Sequence, residues 1–142
     1  MAKSKVFFVE GAPKPVGAYP HARREGDLLF LSGIGPRKPG SDEIPGVIRN
    51  EDGEIIDHDI RLQTESVIEN IRSVLAQADG GVLEDVIDVM VFLVDINKDF
   101  AGFNEIYAKH FAQIQATRTT VEVRALPTPI AVEFKVIARA RG

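Results

Sequence analysis

The chain has 142 residues, 44% hydrophobic and 27% charged, with 17 basic against 21 acidic side chains. That length sets the expectation of one domain over residues 1–142 with enough chain to bury a core, and the mild acidity argues against a surface built to coat nucleic acid. Cysteine is absent, which excludes disulfides, thiolate nucleophiles and Cys-ligated metal.

No run approaches the roughly 18 apolar residues that a membrane span needs. Residues 1–10, Met-Ala-Lys-Ser-Lys-Val-Phe-Phe-Val-Glu, lack the apolar core of a signal peptide. The expectation is a cytoplasmic protein with no membrane partner.

Residues 6–9 form a short apolar run, and residues 11–20 are irregular and rich in Gly and Pro. Leu28-Leu29-Phe30-Leu31 follows the turn signal Gly26-Asp27 and reads as a buried strand. Residues 33–53, with many charges, prolines and glycines, read as a long surface loop, a feature that in a compact domain is usually functional or disordered. Ile60, Thr64, Val67, Ile71, Val74 and Ala78 recur at three- and four-residue steps, which predicts a helix. Asp57 or Asp59 can cap its start, and Gly80-Gly81 can end it.

Residues 86–94 are nearly all apolar and read as a strand. Asp99 is placed to cap a second helix whose Phe100, Phe103, Tyr107, Phe111 and Ile114 share a face. Two alternating, β-branched runs on either side of Leu126-Pro127-Thr128-Pro129 close the chain as two strands joined by a short turn. The predicted order is β-β-α-β-α-β-β, an α+β fold with one mixed sheet and two helices on a single face. The opposite sheet face must then meet solvent or a second subunit, and apolar residues on it favour the subunit.

Period-two alternation puts Arg118, Thr120, Glu122 and Arg124 on one side of the first closing strand, opposite Thr119, Val121, Val123 and Ala125. In the second, Val132, Phe134, Val136 and Ala138 form the apolar side, leaving Glu133 and Lys135 on the other. An arginine opening one strand and a glutamate inside its partner would meet at one site. A guanidinium fork matches a carboxylate there, and the glutamate would activate water. Alternation alone fits an ordinary exposed sheet face as well.

Four segments, in order, resemble one family. They are Val16-Gly17-Ala18-Tyr19-Pro20-His21, Leu31-Ser32-Gly33, the Asp99–Tyr107 stretch with its D-F-x-x-x-N-x-x-Y spacing, and Ala116-Thr-Arg-Thr-Thr-Val-Glu-Val with Val132-Glu-Phe-Lys-Val-Ile-Ala. Together they resemble the Rid family of reactive-imine deaminases. That resemblance implies a chorismate-mutase-like fold, a homotrimer with three ligand sites between subunits, and hydrolytic deamination without a cofactor. Arg118 matches the arginine that binds the substrate carboxylate. Glu133 matches the glutamate that holds a water, either as base or as water-holder only. Tyr19 matches a cleft-lining tyrosine, and Gly33 a glycine whose backbone approaches the ligand.

Thr120 stands where many members carry cysteine. Its hydroxyl still hydrogen-bonds a ligand or water, without thiol chemistry. The basic stretch Gly35-Pro36-Arg37-Lys38-Pro39-Gly40, with Arg-Thr-Thr-Val and Leu-Pro-x-Pro, resembles the branch that deaminates 2-aminomuconate in aromatic amine and tryptophan degradation. Arg37 or Lys38 would hold the second carboxylate of that dicarboxylate.

Two alternatives stay open: a general deaminase of 2-aminoacrylate-type enamines and imines, and a non-catalytic module that binds small carboxylates. Ribonuclease activity, known in parts of the family, finds little support in the acidic balance. His21, His58 and His110 are scattered without ligand spacing, so no metal site is expected.

Overall fold

The computed structural model describes residues 3–142. Met1 and Ala2, the first residues of the segment expected to lack a targeting signal, lie outside the described residues. Eight strands occur: β1 (Ser4–Phe7), β2 (Ala22–Glu25), β3 (Leu28–Leu31), β4 (Val47–Arg49), β5 (Ile55–His58), β6 (Val86–Leu93), β7 (Thr117–Glu122) and β8 (Val132–Arg139). Helices α1 (Ile60–Gln77) and α2 (Ile96–Phe111) precede β6 and β7 respectively. Six strands form one sheet in the order β1-β2-β3-β8-β6-β7, and β4-β5 is a separate hairpin. Among the described residues only the β6-β7 pair is parallel.

The helices form where apolar spacing and caps agree. Asp59 accepts from the Leu62 N–H at 3.1 Å and starts α1, whose Val67, Ile68, Ile71, Val74 and Leu75 are buried. They pack against the inward residues of β6 (Val89, Val91, Leu93) and of β8 (Val132, Phe134, Val136, Ala138), all fully buried. The mixed sheet with two helices on one face is therefore as the alternation predicts.

The second helix begins a turn earlier than expected. Asp95, not Asp99, caps it by accepting from the Lys98 N–H at 3.2 Å, because β6 ends at Leu93 and the chain turns at once. Asp99 is buried inside the first turn.

Three further differences have physical reasons. β2, Ala-Arg-Arg-Glu, hides its strand character because an arginine occupies an inward position. Buried Arg24 is satisfied there by Asp79 at 2.9 Å and by the carbonyls of Gly26 and Arg141. The stretch read as a loop over residues 33–53 contains β4, which pairs with β5.

The two closing strands are not neighbours, since β6 lies between them, parallel to β7 and antiparallel to β8. The Leu126–Pro129 segment is thus a crossing from the sheet edge to its middle. The whole connection from β7 to β8 spans nine residues, 123–131, too many for a tight hairpin turn.

The sheet face without helices carries Phe30, Met90, Phe92, Val121 and Ile137, beside Glu133 and Lys135. Met90 and Val121 are each 37% exposed. Among the described residues, no helix is long and apolar enough to cross a membrane.

Candidate functional site

The site starts at an irregularity in the β3-β8 ladder. Phe30 pairs with Ile137, while Ile34 pairs with Phe134, so Leu31, Ser32 and Gly33 stand opposite only Lys135 and Val136. One extra residue on the β3 side makes a bulge, which re-aims side chains. Ser32 Oγ donates to the Pro20 carbonyl at 2.7 Å, and Lys135 Nζ donates to the Leu31 carbonyl. The Glu133 side chain then folds so close over Gly33 that a Cβ there would lie 2.5 Å from Glu133 Oε2. A side chain at this position would have to push the Glu133 carboxyl aside, so the glycine leaves that carboxyl its place against the bulge.

Around this bulge the chain closes a cleft of about 120 Å³ lined by Tyr19, Gly33, Gly35, Arg37, Ile130 and Glu133 among others. His21 fixes the Tyr19 segment: its Nδ1 accepts from the Val9 N–H at 3.1 Å, and its Nε2 lies 2.8 Å from the Pro13 carbonyl. The Val16 N–H in turn donates to the Tyr19 hydroxyl at 3.2 Å. Arg37 is held by the Lys14 carbonyl at 2.6 Å, with Asp42 at 3.8 Å.

Burial pushes the Glu133 carboxyl above the usual carboxylate range, with no opposing charge to bring it back. This half-buried carboxyl can hold or pass a proton beside an open space.

Four of the expected site residues, Tyr19, Gly33, Arg37 and Glu133, meet in this cleft. Lys38 does not line it; its amine lies 3.6 Å from Glu43 on the surface. Arg118 and Thr120 do not reach it either. Arg118 lies beside Val89, which faces the helices, whereas Glu133 lies beside Phe92 on the opposite face.

Within one subunit the two charges therefore do not meet, contrary to the reading of the two strands as partners. The inserted β6 separates them, and β7 turns its Arg118 side toward α2. Arg118 Nη1 donates to Asn104 Oδ1 at 2.7 Å, and its Cζ lies 4.7 Å from the Tyr107 ring centre. Among the described residues Thr120 Oγ1 is buried without a hydrogen-bond partner, an orphan that a ligand or water would satisfy.

A family model described as Endoribonuclease L-PSP matches residues 9–140. The chain belongs to this family, which includes the Rid proteins. It is 42% identical over 138 residues to a RutC family protein of Pyrococcus abyssi, covering 97% of this chain and 98% of that one. It is 34% identical over 136 residues to the chloroplastic Reactive Intermediate Deaminase A of Arabidopsis thaliana, covering 96% of this chain and 66% of that protein. Among solved structures, Escherichia coli TdcF with bound serine superposes with a TM-score of 0.80 at 31% identity, covering 96% and 99% of the two chains.

In this Rid-family chain, two residues of the site region had no role assigned from sequence. Asn104 belongs to the D-F-x-x-x-N-x-x-Y stretch, and its signal was a lone amide within an aromatic helical stripe. Lys135 spans the bulge, and nothing in a β-strand alternation announces a lysine turned onto its own sheet.

Proposed function

We propose that this protein hydrolyses enamine or imine carboxylates to 2-oxo acids and ammonia, at sites assembled between the subunits of a homotrimer. One observation carries the reading: an unpaired, desolvated carboxyl on Glu133, seated against Gly33 in a cleft with Tyr19 and Arg37. The likeness to a Reactive Intermediate Deaminase and to a structure holding serine supports it. Apolar Phe30, Phe92 and Ile137 on the uncovered sheet face support burial against other copies. A second copy would bring Arg118 and Thr120 of its β7 edge to the Glu133 cleft.

The enamine tautomerises to the imine, and water adds to the imine carbon. The tetrahedral aminol loses ammonia and leaves the ketone. Arg118 holds the adjacent carboxylate and stabilises charge near the reacting carbon. Glu133 orients the water and, with its raised pKa, takes its proton and returns one to the leaving nitrogen. The substrate itself is electrophilic, so no cofactor enters.

For the substrate we favour the dicarboxylate 2-aminomuconate, which takes up one water and yields 2-oxohex-3-enedioate and ammonia. Arg37 supports this choice: it is a cation inside the cleft lining, where a second carboxylate would bind. The serine-bound relative favours the second reading, a general deaminase of monocarboxylates such as 2-aminoacrylate.

Ammonia release from both substrates, by wild type, Arg118→Ala and Arg37→Ala, decides. The expected result is loss of about 10²-fold in kcat/KM on both substrates for Arg118→Ala. Arg37→Ala is expected to raise KM about 10-fold on the dicarboxylate alone. An Arg37→Ala enzyme with unchanged KM for 2-aminomuconate removes the dicarboxylate choice, and no ammonia from either substrate moves a non-catalytic carboxylate-binding module to the front. RNA cleavage that survives Arg118→Ala would instead follow the family's endoribonuclease description.

A further inference from the structure

Arg118 is a charge without a countercharge. Among the described residues its guanidinium makes one hydrogen bond, to the neutral amide oxygen of Asn104 at 2.7 Å, and no carboxylate pairs with it. The rest of its contact is aromatic: Cζ lies 4.7 Å from the Tyr107 ring centre, 5.1 Å from Phe103 and 5.9 Å from Phe100. Residues 100, 103, 104 and 107 stand at i, i+3, i+4 and i+7, so one stripe of α2 supplies the whole cradle. Tyr107 is itself fixed, stacked on Phe111 with centroids 4.4 Å apart.

A flexible arginine binds a carboxylate weakly unless its geometry is set beforehand. An aspartate or glutamate would set it but would also neutralise it, while a neutral amide and ring faces set it and leave the charge free.

We infer that Asn104 is a positioning residue for Arg118, holding the guanidinium on the Tyr107 ring with its charge undischarged and its remaining donors open to a substrate carboxylate. This rests on the reading of Arg118 as the carboxylate anchor.

The test is steady-state ammonia release from 2-aminoacrylate, with melting temperatures, for wild type, Arg118→Ala, Asn104→Ala and Asn104→Asp. Asn104→Ala is expected to raise KM about 5-fold with a smaller fall in kcat, because the anchor holds the carboxylate in the ground state as well as in the transition state. Asn104→Asp is expected to raise KM further, by about 10-fold or more, while the melting temperature holds or rises, because the new carboxylate pairs with the arginine and competes with substrate. Affinity lost without any loss of stability is what a merely structural asparagine would not produce.

A raised KM in Arg118→Ala together with wild-type KM in both Asn104 variants overturns the positioning role alone. Wild-type KM in Arg118→Ala, or no ammonia from wild type with 2-aminoacrylate or, when the series is run on it, 2-aminomuconate, overturns the anchor reading and this inference with it.

Discussion

Two acidic residues near the sheet are treated in opposite ways. Asp85, in the short 3-10 turn before β6, is buried but surrounded by donors: Arg139 at 2.9 Å, Arg141 at 2.6 Å and the Val82 N–H at 3.0 Å. Burial alone would raise its pKa, yet those hydrogen bonds outweigh it and hold the carboxyl at about 2. Glu133 is half-buried beside the bulge with no donor, and burial moves its pKa the other way. Donors close at hand make Asp85 a clamp on the C-terminal segment. Their absence leaves Glu133 a desolvated carboxyl that costs the fold stability.

The largest effect should come from Glu133→Gln. It removes proton transfer but keeps the shape, and a loss of about 10²- to 10³-fold in kcat is expected. Stability should move the other way. A carboxyl whose folded pKa is raised binds its proton more tightly folded than unfolded, so its cost is absent below the unfolded value of 4.5 and grows as pH rises through the folded pKa. The variant should therefore melt higher than wild type at neutral pH, with the gap closing toward pH 4; equal melting temperatures across that range would mean Glu133 is not desolvated.

A smaller effect is expected at Asp85. Its lowered pKa contributes stability present above 3.8 and lost as pH falls toward about 2. Asp85→Asn should lose about 2 kcal/mol at neutral pH by denaturant titration while turnover stays intact. Equal stability of the two proteins would make the arginine clamp ornamental.

Much of the architecture was legible because it rests on periodicity. The α1 stripe, the apolar β6 and the Val132–Ala138 alternation are local patterns that burial simply confirms. Strand adjacency was not legible. The Thr117–Glu122 and Val132–Arg139 runs look like hairpin arms, and only the parallel pairing with β6 separates them.

The same limit governed the site. Tyr19, Gly33, Arg37 and Glu133 line one cleft, since a bulge and a short loop join them. Arg118 goes to the other face because α2 offers it an aromatic bed, and the sequence alone ties no strand face to that helix. Lys38, the neighbour of cleft-lining Arg37 in sequence but paired instead with Glu43, shows that a basic loop does not aim each of its charges at the site.

The central claim is that Arg118 of one copy and Glu133 of another serve the same site. Subunit mixing tests it most directly. Arg118→Ala and Glu133→Gln proteins, each nearly inactive alone, are unfolded, combined in equal amounts and refolded, and ammonia release is measured. Random assembly should restore about a quarter of wild-type activity, since one site in four would draw its arginine from one variant and its glutamate from the other. Activity no greater than the sum of the separate variants would contradict a shared site.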